Sequence, residues 1–418
     1  MKVLQVNTVF INGGSTGRIV YDLMQLQQLM GVDAYVAYGY NTHNRKVENT
    51  LCLQGFLQRK VNILRTRLYD RHGFYNELET IKLISWISSF KPDIIHLHNI
   101  HNHYVHVGKL FDYIKKHHIP VVWTLHDCWP FTGHCAYFDF SGCEKWKSEC
   151  HNCPSLKDYP PTWFFDRSTD NYNRKRRSFC GVENLTLVTP SKWLADLTRH
   201  SFIKEYPVIV INNGVDINTF RCDAKNNLKD KIGITGKKVL LAMASDFGER
   251  KGGRFLKILP ELLKVDEILI LVGSGASKQA KRYPNNCIGI EYTNNVGELV
   301  DYYSMADVFI NPTMEDNFPT TNIEAMACGT PVVTFNTGGS IESVLDGESL
   351  VEKDEIKYTS VGAVVPKGNL ELMLKASRKI IDDGKNGYSI ACRKKALDKY
   401  NKEKQYAKYI DLYKEILR

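Results

Sequence analysis

The chain has 418 residues, of which 43% are hydrophobic and 24% charged, and its formal net charge is +9. These values are typical of a soluble globular protein that is long enough for two domains of ordinary size. A membrane-spanning helix is excluded, because no stretch of the sequence approaches the ~20 apolar residues that such a helix needs. A strand pattern begins directly at Met1, with no apolar signal region, so we expect a cytoplasmic protein.

Basic residues concentrate in two runs, at 59–71 (RKVNILRTRLYDR) and 174–177 (RKRR). Charge runs are usually solvated faces. The alternative is attraction to anionic lipid headgroups, at ~1 kcal/mol per basic residue near the surface. No nucleic-acid-binding module is visible, so we expect no nucleic-acid partner. A solvated face and peripheral contact with the inner face of an anionic membrane both remain open.

The first predicted strand, at 2–10 (KVLQVNTVF), leads through Gly13-Gly14 into a helix with apolar residues at helical spacing. Glycines between a strand and a helix allow backbone N–H groups to approach a phosphate. The loop has the spacing of neither a Walker A loop nor a dinucleotide fingerprint. A phosphate contact and a plain tight turn are therefore both open here.

Two further buried strands, predicted at 93–97 (DIIHL) and 120–125 (PVVWTL), end in polar side chains. The histidines at these ends are His96, His98, His101, His103 and His126. Scattered histidines without cysteines or acids at ligand spacing are more often polar loop groups than metal ligands. The residues alone assign them no role.

A strand predicted at 185–189 would be the last of the first domain, and strands at 239–244 and 267–272 would belong to a second. After the strand at 239–244 comes a turn that carries Arg250 and Lys251. An arginine fork and a lysine point charge could hold a diphosphate, or the turn could simply be basic and exposed.

The most specific stretch is 304–339, which contains a strand at 308–310, an acidic loop, a helix at 322–328 and a strand at 332–333. This order is that of a parallel βαβ unit, in which ligands bind at the carboxyl end of the strand. Asp316 and Glu324 flank that loop. Helix capping would explain Asp316, but it would leave Glu324, inside the helix, without a purpose.

The run DNFPTTNIEAMACGTP, from Asp316 to Pro331, resembles the donor-site signature of family 4 glycosyltransferases, in which two glutamates are separated by seven residues. Here Asp316 stands in place of the first glutamate and Glu315 comes just before it, so either acid could serve. PDIIHLH, TLHD, the Gly13-Gly14 loop and 208–220 are also similar to family segments.

The resemblance implies an α/β fold of two Rossmann-like domains that face each other across a cleft, the GT-B arrangement. The implied parts are an acceptor-side domain at 1–205 with a cysteine-rich insert at about 128–165, a nucleotide-sugar-binding domain at 206–400, and a helix at 401–418 that returns to the first domain. The implied reaction is retaining transfer of a sugar from a UDP- or GDP-sugar to a saccharide hydroxyl. The acceptor would be lipid-linked, in bacterial surface-polysaccharide assembly.

The resemblance also implies the site residues, with no catalytic metal. His126 and Asp316 would be catalytic, and the donor-binding set would be Gly13, Gly14, Arg250, Lys251, Asn317, Phe318, Thr320, Thr321 and Glu324. Fixed cations and N–H groups would stabilise the departing diphosphate, and positioning would replace a covalent nucleophile. A GT-B epimerase and a non-catalytic nucleotide-binding protein are the alternatives.

The chain has 11 cysteines, which is many for a cytosolic protein. Four of them, Cys135, Cys143, Cys150 and Cys153, lie in a polar, loop-like segment that is poor in aliphatic residues. Four thiolates would make a closed structural zinc site, with His134 and His151 in reserve and Cys128 outside the cluster. Buried free thiols are the alternative.

Overall fold

The computed structural model describes residues 1–11, 14–42, 46–222, 227–293, 295–346, 352 and 355–418. Gly13, one of the expected donor-binding residues, lies outside them. The chain divides into two compact units: Met1–Asn212 with Tyr406–Arg418, which we call unit 1, and Asn213–Gln405, which we call unit 2. No helix of the described residues is long and apolar enough to cross a membrane.

The sheet of unit 1 has seven strands in its described residues, all parallel to their neighbours, in the order β3-β2-β1-β4-β5-β6-β7. The strands are β1 (Lys2–Asn7), β2 (Asp33–Tyr40), β3 (Thr50–Gln54), β4 (Ile94–Leu97), β5 (Val121–Thr124), β6 (Leu185–Thr189) and β7 (Val208–Val210). The order reverses between β1 and β4, and ligands bind beside such a switch point in open parallel sheets.

Helices connect these strands and cover the sheet. They are α1 (Gly14–Leu29), α2 (Phe56–Tyr69), α3 (Glu77–Phe90), α4 (Val107–His117), α5 (Ser168–Phe179) and α6 (Lys192–Arg199). Strands β4 and β5 are buried along their whole length, as expected for a parallel sheet covered on both faces.

Unit 2 has a second seven-stranded sheet in its described part, in the order β10-β9-β8-β11-β12-β14-β13, with only β13 antiparallel. The strands are β8 (Lys238–Asp246), β9 (Glu267–Ser274), β10 (Cys287–Ile290), β11 (Val308–Asn311), β12 (Val332–Phe335), β13 (Lys357–Thr359) and β14 (Gly362–Val365). Its helices are α7 (Leu228–Lys231), α8 (Gly253–Ile258), α9 (Ala276–Ala280), α10 (Val296–Met305), α11 (Thr320–Ala327), α12 (Leu370–Asp383) and α13 (Lys385–Lys399). The predicted βαβ unit is confirmed, because β11 and β12 pair in parallel around α11.

The last helix, α14 (Lys402–Ile416), begins in unit 2 and belongs to unit 1 from Tyr406 onward. Tyr406, Tyr409, Ile410 and Tyr413 are buried among core residues of unit 1 that include Val3, Ile94 and Val122. The periodicity of the sequence indicated an amphipathic helix, and these contacts identify what its apolar face covers.

Some sequence predictions are wrong. The strand at 185–189 is not the last of the first sheet, because Val208–Val210 pairs with it in parallel. This short strand begins the segment 208–220, which the sequence analysis did not assign to the sheet. The first strand ends at Asn7 rather than at residue 10, and the helix predicted at 322–328 is Thr320–Ala327. Small shifts of this kind are expected at the ends of strands and helices, because the terminal residues lack part of the regular backbone hydrogen bonding.

The cysteine-rich segment is not the coreless loop that its composition suggested. Phe131, Phe138 and Trp146 pack against one another with ring centroids 4.8–6.3 Å apart. They join the main core cluster of unit 1, together with Cys135 and Cys150. Aromatic side chains supply the burial here, so the scarcity of aliphatic residues misled the prediction.

Candidate functional site

In unit 2, two loops leave the carboxyl ends of β8 and β11, which are neighbours at the point where strand order reverses. The Arg250 guanidinium donates to the carbonyl oxygen of Glu315 at 3.0 Å, and the N–H of Met314 donates to the carbonyl of Arg250 at 2.8 Å. The Lys251 ammonium forms an ion pair with the Asp316 carboxylate. The two loops are therefore tied together, with a cation of one beside an acid of the other.

A glycine makes this approach possible. Gly252 has φ +77°, and a Cβ there would lie 2.0 Å from the carbonyl oxygen of Pro312. Only glycine allows the basic turn to lie this close to the backbone of the acidic loop.

The structure distinguishes the two candidates for the first acid. Glu315 is fully buried, whereas the side chain of Asp316 keeps 13% of its surface exposed beside Lys251. Asp316 is therefore the acid that a ligand can reach at the surface formed by these two loops, which we call the crevice of unit 2, and Glu315 belongs to the interior.

A second glycine turn supports Asp316, and the sequence analysis did not assign it to the site. Gly338 has φ +49°, and a Cβ there would lie 2.1 Å from the Asp316 carbonyl oxygen. The N–H of Gly339 donates to the same oxygen at 3.0 Å. The Gly-Gly pair after β12 was visible in the sequence, but its partner Asp316, 22 residues before Gly338, was not.

Helix α11 begins at the end of the acidic loop. Thr320 and Thr321 form its first turn and are partly exposed, so the helix presents its N-terminal N–H groups there. Glu324, one turn later, accepts a hydrogen bond at 2.9 Å from the hydroxyl of Tyr303, which is fully buried. The core thus orients the second acid of the signature.

The remaining predicted donor residues, Asn317 and Phe318, are almost fully buried. The carbonyl oxygen of Phe318 accepts from the side-chain amide of Asn213 at 3.1 Å, and its ring lies 5.7 Å from that of Tyr400. Only their backbone groups are therefore suited to contact a ligand.

In unit 1, His126 directly follows Leu125 after β5 and is partly exposed. Its Nε2 lies 3.1 Å from Nδ1 of His98, whose Nε2 lies 3.2 Å from the amide oxygen of Gln5. Burial lowers the pKa of His126 to about 4, so its imidazole is neutral at physiological pH. The sequence left His98 unassigned, and the structure makes it the partner that orients His126.

The hydrogen bonds continue from there into the core. The Gln5 amide donates to Gln27 at 3.0 Å, and Gln27 donates to the hydroxyl of Tyr413 at 3.3 Å. That hydroxyl lies 2.6 Å from Nδ1 of His96, whose pKa burial lowers to about 3. A buried polar chain thus connects His126 with the last helix.

Asp127, next to His126, is paired with a different histidine. Its carboxylate lies 2.8 Å from Nε2 of His101 and accepts the N–H of Trp129 at 3.0 Å. Burial alone would raise the pKa of Asp127, but the charge and hydrogen bond of His101 hold it below its ordinary value.

Gly14, the described member of the glycine pair, is the first residue of α1 and has φ +79°.

The four candidate zinc ligands differ in their burial and in their contacts. The thiols of Cys135 and Cys153 are hydrogen-bonded to each other, and this contact raises the pKa of Cys135 and lowers that of Cys153. Cys150 is buried beside them and accepts the N–H of Gly133 at 3.2 Å. Cys143 is partly exposed.

His134, named in reserve, is buried near the same thiols. Its Nδ1 lies 2.6 Å from a carboxylate oxygen of Asp70, and its Nε2 is a buried nitrogen with no hydrogen-bond partner among the described residues. No group of three or more His, Cys, Asp or Glu side chains in the described part of the chain has a geometry that could hold a metal ion.

The structure therefore groups the predicted residues into three places. Arg250, Lys251, Asp316 and the start of α11 share the crevice of unit 2. His126 lies in unit 1, beside His98. The cysteines form a third group, also in unit 1. The strand ends that carry the first two groups could be recognised in the sequence. No role could be assigned from it to Tyr303, to Gly338 or to His98, the last residue of PDIIHLH.

Two family profiles match the chain. One described as Glycosyltransferase Family 4 matches residues 13–219. One described as Glycosyl transferases group 1 matches residues 237–383. Together they cover most of both units.

Similar proteins are also found among curated sequences and solved structures. WcaC of Escherichia coli (strain K12), named as a colanic acid biosynthesis glycosyl transferase, is 26% identical over 373 residues, covering 85% of this chain and 88% of WcaC. Sucrose-phosphate synthase from Thermosynechococcus elongatus has a TM-score of 0.71 at 15% identity, covering 100% of this chain and 99% of that one. HepE of Anabaena, solved with UDP-glucose, has a TM-score of 0.65 at 16% identity, covering 99% and 100%.

Proposed function

Because the chain belongs to the glycosyltransferases, with a family 4 domain followed by a group 1 domain, we propose that it transfers a sugar from a nucleotide sugar to a saccharide hydroxyl with retention. The observation that carries this proposal is the crevice of unit 2, where Lys251 and Asp316 meet at the carboxyl ends of two neighbouring strands. A ligand that is both a polyol and a diphosphate needs this combination of acid and cation.

Each donor group has a proposed partner in that crevice. Asp316, held by Gly339, is assigned to the sugar hydroxyls. Arg250, Lys251 and the N-terminus of α11 are assigned to the diphosphate, whose negative charge grows as the bond to the sugar breaks. Glu324 is assigned to the ribose. HepE binds UDP-glucose, which supports a donor of this class for a chain with the same fold.

His126 is assigned to the reacting sugar as a neutral hydrogen-bonding group. Its low pKa argues against a charged role at physiological pH, and His98 fixes the direction of its ring. In this mechanism the bond to the diphosphate breaks as the acceptor hydroxyl approaches from the same face, and positioning supplies the rate enhancement. The cations of the crevice, rather than a catalytic metal, stabilise the leaving group.

The acceptor that we propose is a lipid-linked saccharide of a surface polysaccharide, reached by peripheral contact with the membrane. The naming of WcaC for colanic acid biosynthesis supports the polysaccharide part. An assay with nucleotide sugar and a lipid-linked acceptor should give a product with the anomeric configuration of the donor. An inverted product would contradict retention, and turnover with simple soluble sugars alone would contradict the lipid-linked acceptor.

The donor can be tested without knowing the acceptor. A ligand at 100 times its Kd adds ~2.7 kcal/mol of stability, so the correct nucleotide sugar should raise Tm by several degrees. UDP- and GDP-sugars should be screened against the wild type and Lys251→Ala, which should lose most of the shift. No shift with any nucleotide sugar would contradict the proposal.

We also propose that Cys135, Cys150 and Cys153 hold a structural zinc ion, with Cys143 or His134 as the fourth ligand. In the described residues these side chains do not surround a metal position, so the proposal requires that they turn towards the ion when it binds. The adjacent thiols and the partnerless nitrogen of His134 support this set, and a carboxylate on the other ring nitrogen is typical of a zinc-bound histidine. Protein purified without added metal should contain about one equivalent of zinc. Cys143→Ser and His134→Gln should identify the fourth ligand. Full stability of a Cys150→Ser, Cys153→Ser variant would contradict the site.

A further inference from the structure

Helix α2 in unit 1 buries polar side chains and exposes apolar ones. Its buried residues are Asn62 and Thr66. Leu57 is 77% exposed, Val61 49% and Leu64 48%. A helix that packs on a protein core by the hydrophobic effect has the opposite arrangement. The outer face of α2 is therefore built for contact with an apolar environment outside this chain.

Three of the exposed apolar residues form one stripe. Leu57, Val61 and Leu64 are spaced by four and three residues, which places them on one face of a helix. At roughly 100° per residue, Lys60 and Arg65 lie on opposite sides of this stripe. The helix sequence contains no acidic residue. The outward face is thus an apolar strip bordered by cations.

A second exposed element lies beside the carboxyl-terminal half of α2. The residues Trp163, Phe164 and Phe165 are 52%, 73% and 48% exposed. The N–H of Trp163 donates to the carbonyl of Arg67 at 2.8 Å, and the Arg67 guanidinium lies 5.6 Å from the Trp163 ring. The rings of Phe165 and Tyr69 are nearly parallel, at 9°, with centroids 6.3 Å apart.

Together, α2 and Trp163–Phe165 form what we call the α2 surface. We propose that the α2 surface docks on a bilayer that contains anionic lipid, with α2 lying in the interface and the three aromatic residues inserted. Apolar residues bordered by cations are the arrangement of interfacial helices, and tryptophan is favoured at the headgroup level. The cations select an anionic bilayer over a neutral one.

The other basic run does not provide such a surface. In the sequence RKRR, Lys175 is fully buried, and its ammonium donates to the carbonyls of Trp129 and Thr132 at 2.7 and 3.0 Å. Arg174 lies against the Phe74 ring at 4.1 Å. Only Arg176 and Arg177 of that run are exposed, so they make a matched control for charge without the apolar stripe.

This inference deepens the proposed contact with the membrane, but its test needs neither donor nor acceptor. Binding is measured by co-sedimentation with vesicles of phosphatidylcholine, with and without phosphatidylglycerol. We expect binding to the anionic vesicles only, and weaker binding as salt rises, because salt screens exposed charges. If the wild-type protein shows no glycosyltransferase activity, the proposed function is contradicted, but the vesicle-binding result still stands.

Two variants test the cations and the aromatic side chains of the α2 surface separately. Neutralising three cations with Lys60→Gln, Arg65→Gln and Arg67→Gln should weaken binding to anionic vesicles by about a hundredfold. Trp163→Ala, Phe164→Ala and Phe165→Ala should weaken it with all cations kept. The control, Arg176→Gln with Arg177→Gln, should bind within about twofold of the wild type.

Three outcomes would overturn the proposal. Equal binding to neutral and anionic vesicles would remove the role of the cations, and unchanged binding by both variants would place the contact elsewhere. The third is a dimer in sedimentation velocity that Leu57→Gln and Leu64→Gln dissociate, because the stripe would then cover a second copy of the chain. All these substitutions are at exposed positions, and unchanged circular dichroism would confirm that each variant folds.

Discussion

Replacement of Glu324 by alanine tests the link between the second acid of the signature and the ribose. In the structure this carboxylate accepts a hydrogen bond from buried Tyr303 at 2.9 Å, so the core fixes its direction. The substitution should have two separable effects: loss of the contact with the ligand, and loss of a partner for the Tyr303 hydroxyl.

The magnitudes of the two effects differ. A hydrogen bond to a charged group contributes ~1.5–3 kcal/mol, so Glu324→Ala should weaken nucleoside diphosphate binding by roughly 10- to 100-fold. Leaving the Tyr303 hydroxyl without this bond should also cost ~1–3 kcal/mol of folding stability. Tyr303→Phe keeps the carboxylate and removes only its orienting bond, so it should weaken binding by less than about tenfold.

Calorimetric titration with UDP and with GDP measures this directly, and the better ligand also identifies the base. Glu371→Gln, which changes an exposed acid at the start of α12 in the same unit, is the control and should bind as the wild type does. If folded Glu324→Ala binds both nucleotides with wild-type affinity, Glu324 does not contact the ribose and the assignment is wrong.

Three further predictions concern both units. Asp316→Asn should lower kcat/KM for the nucleotide sugar but leave the affinity for the nucleoside diphosphate unchanged; an equal loss in both would move Asp316 away from the sugar. Folding stability should fall as pH decreases from about 6.5 towards 4, by ~1.4 kcal/mol per pH unit for each buried histidine such as His96 or His126. Their pKa values in the folded protein are about 3 and about 4, so only the unfolded chain takes up protons in this range. A Tm that does not change with pH would contradict this. Tyr413→Phe should cost ~1–3 kcal/mol of folding stability, because Nδ1 of His96 and the side-chain N–H of Gln27 lose the hydroxyl they contact. An unchanged midpoint of urea unfolding would contradict the buried chain.

Much of the site could be read from the sequence because its motifs are local. Asp316 and Glu324 are eight residues apart on one loop and one helix, so their order and spacing already indicated where they would lie. The basic turn after β8 could be placed at a strand end for the same reason. Parallel strands carry their carboxyl ends to one edge of the sheet, and that rule brings Lys251 towards Asp316 across 65 residues.

The choice between Glu315 and Asp316 needed the tertiary structure. The two acids are neighbours with the same charge, and only their burial separates them. The same holds for His98, which became the partner of His126 because β4 and β5 pair in parallel and end side by side.

Two α/β units, their main strands along the chain and the acid and cation loops could be predicted from the residues alone, because hydrophobic periodicity and turn residues act within a few positions of each other. The order of the strands within each sheet could not. The tertiary structure decided which polar groups are buried and what partners they have, as with Tyr303 and Glu324. It also decided which way α2 faces, since the pattern FLQRKVNILRTRLY contains an apolar stripe and a polar one. Packing against unit 1 buried Asn62 and Thr66 and left the apolar stripe exposed, because only long-range contacts determine which side of a helix meets the core.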